Sequence, residues 1–342
     1  MVRKFPAPRA RQLTRFLFFS SISLFAFSLL CFAPSPSQAG ERVFKITNAA
    51  VKEHNLAQGG QKFADLVNQR AKGRLRIEGV FGGALGGERD ITEGVQQGSI
   101  EMGVITTAIL AAFEPMMGLF DMPFIMRDYD HAHKVQDGPV GAEAARRLLE
   151  RKEIRTLAYY DQGFRYVVTI NKPVRRMEDL KGLKLRSPEA PTYFRTLQLL
   201  GANPTPIPWP ETYTALQTRV VDGFENSPNT IYTARLWEVS KYITKTNHIY
   251  SGAILCINEK VWQSLSPDLR KIFLEAAEEA KRWERQMATT QEAMYLTEVQ
   301  KKGMVVFDID QKPLRAAVEP FYKEYAAKVG GFDWIQRIRD TR

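Results

Sequence analysis

The sequence predicts an α/β protein, and three features carry that prediction. Short β-rich runs alternate with helical periods after Gly40. The first of them fall in the order strand, helix, strand, helix, strand, which implies a mainly parallel sheet with helices on its faces. Further on, no Gly or Pro interrupts the chain from Leu269 until Gly303. A helix of about 34 residues would be about 50 Å long, more than one compact domain needs and suited to brace two.

Each element has its own warrant. Residues 43–48 read as a strand, and residues 56–72 as an amphipathic helix with Phe63, Leu66 and Val67 on its apolar face. Residues 75–80 form a second strand. Residues 90–97 form a short helix stopped by Gly98, and residues 100–105 a third strand. Later strands are expected near 155–160, 166–170, 184–186, 221–225 and 250–257. Ser266-Pro267-Asp268 starts the long helix, with Ser as N-cap and Pro in the first turn.

Residues 1–39 read as an export leader. Arg3, Lys4, Arg9, Arg11 and Arg15 form a cationic start, residues 16–33 are apolar apart from four serines, and Ser37-Gln38-Ala39 offers a small-x-small cleavage site. The alternative is an uncleaved anchor, for which about eighteen residues is marginal. Leu30 stands where a lipoprotein signal before Cys31 needs a small residue.

Without the leader, 43 basic residues face 38 acidic ones, a net charge of +5 instead of +10. A mildly basic body suits an anionic ligand and is no nucleic-acid footprint. Cys31 leaves with the leader and Cys256 stands alone, so no disulfide framework exists. Stability must come from a core, which about 300 residues at 44% hydrophobic content can supply.

The richest stretch is 161–258. GFRYVVTINKPV, DLKGLKLRS, GANPTPIPWPETYTALQTRVVDGFENSP and EVSKYITKTNH follow one another there, placing polar groups at strand ends and turns. Arg186 ends a short strand before Ser187-Pro188, where a guanidinium can meet a carboxylate through two parallel hydrogen bonds. Its bland alternative is a surface salt bridge to Glu178 or Asp179. Arg165 enters a strand after Gly163-Phe164 and either helps hold a dianion or steer an anion into the cleft, or is a solvated turn arginine. Asn226 follows a strand, where its amide can donate to ligand oxygen or cap the helix that begins near Pro228. Trp209 sits in the stiff Pro-Ile-Pro-Trp-Pro segment and is either a ligand wall or core packing. Glu88 follows the glycine-rich run 82–87 and either accepts from a ligand hydroxyl or compensates a helix N-terminus. That run lacks the ending of a P-loop and the spacing of a dinucleotide fingerprint.

These strings resemble the extracytoplasmic solute receptors of TRAP transporters, the DctP type, over essentially the whole chain after the leader. L-G-G-E-R-D, V-Q-Q-G-S-I-E-M and F-D-M-P-F-I add to the likeness in the N-terminal half. The resemblance implies a two-lobe periplasmic binding protein fold, with a ligand cleft between the lobes and a long helix spanning both. Lobe I is then expected over 40–161 with about 250–285, lobe II over 162–249 with about 303–342, and the connecting helix over 267–302. It also implies closure on an organic acid and delivery to a membrane permease. By position, Arg186 matches the arginine that pairs with the ligand carboxylate. Arg165, Asn226 and Trp209 match other cleft positions, and Asn48 and Glu88 match residues that reach ligand hydroxyls. His54, near Asn48, is expected to border the cleft. Arg219, Phe224 and Ser227 depart from the family pattern, and Thr106-Thr107 stand where some sialic-acid receptors carry a glutamate, which weighs against that ligand.

The expected protein is therefore a monomeric periplasmic receptor without cofactor or metal, and a sugar acid such as a uronate is the favoured ligand. His131-x-His133 has no third ligand at metal spacing and reads as helix surface. His248 reads as hinge or core. No Ser-His-Asp, Cys-His or metal constellation supports the rival of an exported enzyme, whereas a sensor that passes its signal to a membrane partner would need the same binding residues.

Overall fold

Two mixed sheets organise the chain in the computed structural model, which describes residues 42–342; the leader expected over 1–39 lies outside the described residues. In chain order the strands are β1 (Arg42–Asn48), β2 (Leu75–Phe81), β3 (Met102–Thr106), β4 (Ile154–Phe164), β5 (Tyr166–Thr169) and β6 (Lys184–Ser187). They continue as β7 (Asn203–Pro206), β8 (Gly223–Asn226), β9 (Tyr242–Thr244), β10 (Tyr250–Asn258) and β11 (Val305–Phe307). The first sheet runs β2-β1-β3-β10-β4 and the second β11-β9-β5-β8-β6-β7.

The β-α-β-α-β opening forms as the hydrophobic periods require. Helix Asn55–Ala71 connects β1 to β2, and helix Glu88–Gln97 connects β2 to β3. His54 caps the first helix, its Nδ1 accepting from the Leu56 N–H at 3.2 Å. Gly98, at φ 80°, ends the second in the left-handed turn that glycine adopts without a Cβ clash. β1 pairs in parallel with β2 and β3. The expectation of a mainly parallel sheet is nevertheless corrected, because β10 runs antiparallel to both β3 and β4. Every residue of β10 is buried, so its sequence shows no alternation that betrays an insertion between two neighbours.

The long helix spans Pro267–Lys301, and the Ser266 side chain accepts from the Leu269 N–H at its start. Leu269, Phe273, Ala276, Ala277 and Ala280 belong to the core beneath the first sheet. Val299 belongs to the core of the second sheet, with Leu296 against it. One helix thus packs in both halves. The chain also crosses between the sheets where β4 passes into β5 at Arg165 and where residues 245–249 join β9 to β10.

The C-terminal segment does not follow one half. β11 joins the second sheet, and Leu314 and Val318 pack with Val167, Leu180 and Leu185. Phe321, Tyr322, Tyr325, Ile335 and Ile338 instead share a core with Met116, Leu119 and Leu148 of the first half. His131, read from sequence as helix surface, is buried, with Nε2 at 2.8 Å from the Ile338 carbonyl oxygen. Its Nδ1 accepts from the Arg127 N–H, so Nε2 carries the proton and ties the C-terminus down. Among the described residues no helix is long and apolar enough to cross a membrane, and no group of three or more His, Cys, Asp or Glu could hold a metal.

Candidate functional site

The chemistry-bearing side chains gather at the carboxyl ends of strands. Asn48 ends β1, Thr106 ends β3, Arg186 lies near the end of β6, and Asn226 ends β8. Ligands in α/β sheets bind at such ends, where strand-to-helix turns present backbone and side-chain donors. Here they surround one cavity with His54, Glu88, Gln162, Arg165, Tyr193, Trp209 and Thr230, and its free space is about 450 Å³ with its open mouth included. All seven residues singled out from sequence, Arg186, Arg165, Asn226, Trp209, Glu88, Asn48 and His54, line it.

Arg186 is 3% exposed, which rules out the surface salt bridge to Glu178 or Asp179. Its Nε donates to the Ile207 carbonyl at 2.9 Å, and its guanidinium carbon lies 5.6 Å from the centre of the Trp209 ring. The first contact ties the arginine to the Pro-Ile-Pro-Trp segment and leaves the Nη1–Nη2 end of the fork. Among the described residues that end has no hydrogen-bonded acceptor and no salt-bridged carboxylate. Burial pulls the Arg186 pKa down to about 10, with Arg165 adding to the fall and Glu225 and Glu88 opposing it. At neutral pH the group remains a cation.

Arg165 is buried as deeply but is fully occupied. Nε and Nη2 donate to the two carboxylate oxygens of Glu225, Nη2 also to the Glu225 carbonyl, and Nη1 to Gln162 Oε1 and Asn226 Oδ1. Those contacts use every N–H that a guanidinium has. Its face lies 4.7 Å from the Tyr193 ring centre. The solvated-turn alternative fails, and in this structure Arg165 serves as half of a buried ion pair.

That pair fixes its neighbours. Asn226 Oδ1 accepts from Arg165 and from the Ser227 N–H at 2.9 Å, which sets the orientation of the amide. Nδ2 then remains as the donor beside the cavity. Ser227, not Asn226, occupies the N-cap position of helix Pro228–Thr233. Behind the wall, the Tyr193 hydroxyl is 2.9 Å from Asp121 Oδ1 and 2.8 Å from Ser251 Oγ, and Ser251 donates to Gln162 Oε1 at 2.6 Å. Burial pushes the Asp121 carboxyl up to about 8.

The first-sheet half supplies a different wall. Glu88 Oε2 accepts from the Thr106 hydroxyl at 2.6 Å and Oε1 from the Thr106 N–H at 3.1 Å. Loss of hydration raises its carboxyl above the ordinary range, while the Thr106 bonds and the two arginines pull the other way. Asn48 Nδ2 donates to the Val104 carbonyl at 2.7 Å, and Oδ1 accepts from the Ala50 N–H at 2.9 Å. His54 Nε2 lies 2.9 Å from Thr230 Oγ1, bonding one half to the other. Because Nδ1 caps the helix, Nε2 carries the hydrogen, and burial with the Arg165 charge holds the ring neutral by lowering its pKa to about 3.

Sequence reasoning missed Gln162, Tyr193 and Thr230 as wall residues. Gln162 stands just before Gly163-Phe164-Arg165, so adjacency was a usable signal. Tyr193 and Thr230 are helix residues with no local feature that separates them from core. His248 is core at the crossover, with Nδ1 2.8 Å from Thr246 Oγ1.

A two-lobed body with an arginine-bearing cavity between its sheets defines a class of proteins that enclose a small solute. Residues 47–328 match the family of bacterial extracellular solute-binding protein, family 7 (DctP), and the chain belongs to that family. It is 33% identical over 297 residues to the 2,3-diketo-L-gulonate-binding periplasmic protein YiaO of Escherichia coli (strain K12), covering 86% of this chain and 90% of that one. A TRAP periplasmic solute binding protein from Polaromonas sp JS666, bound to D-erythronate, superposes with a TM-score of 0.85 at 33% identity, over 88% of this chain and 99% of that one. One from Roseobacter denitrificans with bound β-D-glucuronate gives 0.84 at 30%, over 88% and 100%.

Proposed function

We propose that the protein is the periplasmic receptor of a TRAP transporter, capturing a small hydroxylated carboxylate and passing it to the membrane permease. A sugar acid such as a uronate is the favoured ligand. The observation that carries this reading is Arg186, a buried cation on the cavity wall whose outer nitrogens lack a protein carboxylate. A ligand carboxylate would take both nitrogens end-on. Asn226 Nδ2 would donate to a neighbouring oxygen, Trp209 would cover an apolar face, and Glu88 and Asn48 would meet hydroxyls from the other half. The names of the similar proteins, which bind a diketo-gulonate, an erythronate and a glucuronate, support an acid of this kind. Export through the 1–39 leader fits the same reading, and no covalent step is required of the site.

Charge-assisted hydrogen bonds contribute about 1.5–3 kcal/mol each. A few of them, with burial, reach the roughly 8–12 kcal/mol of a micromolar to nanomolar complex. Contacts made to both halves at once favour the closed arrangement. The test is a thermal-shift screen of the leaderless protein against organic acids. A ligand at about a hundred times its Kd adds about 2.7 kcal/mol to stability. Arg186→Ala should abolish the shift of every acid hit while the protein stays folded, and Arg186→Lys should weaken it because an ammonium lacks the planar fork. Full binding by Arg186→Ala would remove the anchor.

A further inference from the structure

Two arginines beside one cavity suggest a site for a dianion, but their hydrogen bonds do not support that. We infer that the cavity selects acids with a single carboxylate and hydroxyls at the other end, and that Glu88 is the residue that turns a second carboxylate away. The inference rests on Arg186 as the carboxylate anchor and narrows the ligand class of that same site.

The charge inventory of the wall carries it. Arg165 is matched by the Glu225 carboxylate, and its five N–H groups are spent on Glu225, Gln162 and Asn226. His54 is a neutral ring with its Nε2 hydrogen directed to Thr230. Arg186 is left as the one cation on the cavity wall without a protein carboxylate. One ligand carboxylate neutralises it.

A second carboxylate would have to be desolvated against the half that contributes Asn48, His54, Glu88 and Thr106, and among the described residues that half puts no cation on the cavity wall. Thr106 spends its hydroxyl and its N–H on Glu88, and Asn48 spends an amide hydrogen on Val104. Ionised, Glu88 repels a second carboxylate; protonated, it still supplies no positive charge. A buried anion without a counter-charge is strongly disfavoured. A hydroxyl suits the same place, because it donates to the remaining lone pairs of Glu88 and of Asn48 Oδ1.

The test uses acid pairs on one carbon skeleton, titrated calorimetrically into the leaderless protein: D-erythronate with meso-tartrate, D-gluconate with D-glucarate, and D-galacturonate with galactarate. For any monoacid that binds, the matched diacid should be weaker by at least about tenfold, a difference of about 1.4 kcal/mol. Glu88→Gln, which keeps the side-chain shape and removes the charge, should shrink that ratio by about threefold or more, chiefly by strengthening the diacid. A diacid that binds as tightly as its monoacid overturns the inference; if Arg186→Ala then loses both, the anchor stands and only the charge selection falls. An unchanged ratio in Glu88→Gln overturns the role given to Glu88. Binding in none of the pairs overturns the inference together with the sugar-acid reading beneath it.

Discussion

Arg165 and Arg186 are both buried beside one cavity, yet only Arg165 meets a carboxylate, and this difference sets opposite consequences for their removal. Arg165→Ala strands the buried Glu225 charge and should cost about 3–5 kcal/mol in urea unfolding, as breaking buried pairs does. Arg186→Ala removes a desolvated cation and should leave the ligand-free protein within about 1 kcal/mol of wild type, or more stable, as binding sites that trade stability for function do. Equal losses in the two variants would contradict the pairing. The histidines give a pH signature. Burial and the Arg165 charge lower both His54 and His248 to about 3. The unfolded chain protonates them near their ordinary 6.5, so their contribution is complete above that value and is lost as pH falls from 6.5 toward 3. Asp121 works the other way: raised to about 8, it contributes most below its ordinary 3.8 and loses this as pH rises toward 8. His54→Asn keeps a helix-capping acceptor and removes one ring. Its stability deficit at about pH 7.5 should shrink by up to about 1.4 kcal/mol for each pH unit below 6.5, read as the difference between wild-type and variant melting curves.

Among the elements, the long helix packs tightly where Gly59 of helix Asn55–Ala71 faces it. A Cβ at Gly59 would lie 2.7 Å from Glu284 Cγ and 2.9 Å from the Tyr160 ring. Glu284 cannot simply swing out, since its carboxylate accepts from Asn55 Nδ2 and the Asp161 N–H. Gly59→Val should therefore destabilise by about 1–3 kcal/mol, as overpacking does, measured as a lower urea midpoint at unchanged slope. This helix was legible in sequence because its cap, its length without breakers and its stop are local signals. The cavity lining was legible because its residues sit in strand-end strings of a known family. The strand direction of β10 was not, since a run buried on both faces carries no alternation. β7 was invisible for another reason: Asn203-Pro204-Thr205-Pro206 reads as a loop, and prolines are tolerated there because β7 is the edge of its sheet. β9 and β11 span three residues each, too short for any period to register. The occupancy of Arg165 was equally hidden, because Glu225 lies sixty positions away along the chain.

For the molecule as a whole, binding depends on how the two halves meet. Besides the His54–Thr230 bond, the glycine run 82–87 of the first half lies against the Pro208-Trp209-Pro210 segment of the second: a Cβ at Gly83 would be 3.1 Å from Pro210 Cγ. Gly87→Leu, at a φ of −74° open to any residue and with its Cβ 3.6 Å from Pro208 Cβ, should weaken acid binding by about tenfold, on the order of 1.4 kcal/mol, by holding the halves apart. Titration calorimetry measures that loss, and solution scattering should show a liganded variant more extended than liganded wild type. Unchanged affinity would mean that this contact is incidental to closure. The insertion of β10 has an effect on a longer timescale. A ribosome delivers the chain from its N-terminus, and when residue 249 has emerged the first sheet still lacks the strand that joins β3 to β4. The nascent protein therefore has no finished half to lock prematurely, and late, distant pairing makes for slow maturation. For the export proposed above, an unfinished chain is also one that can be threaded through a narrow translocation channel before it sets.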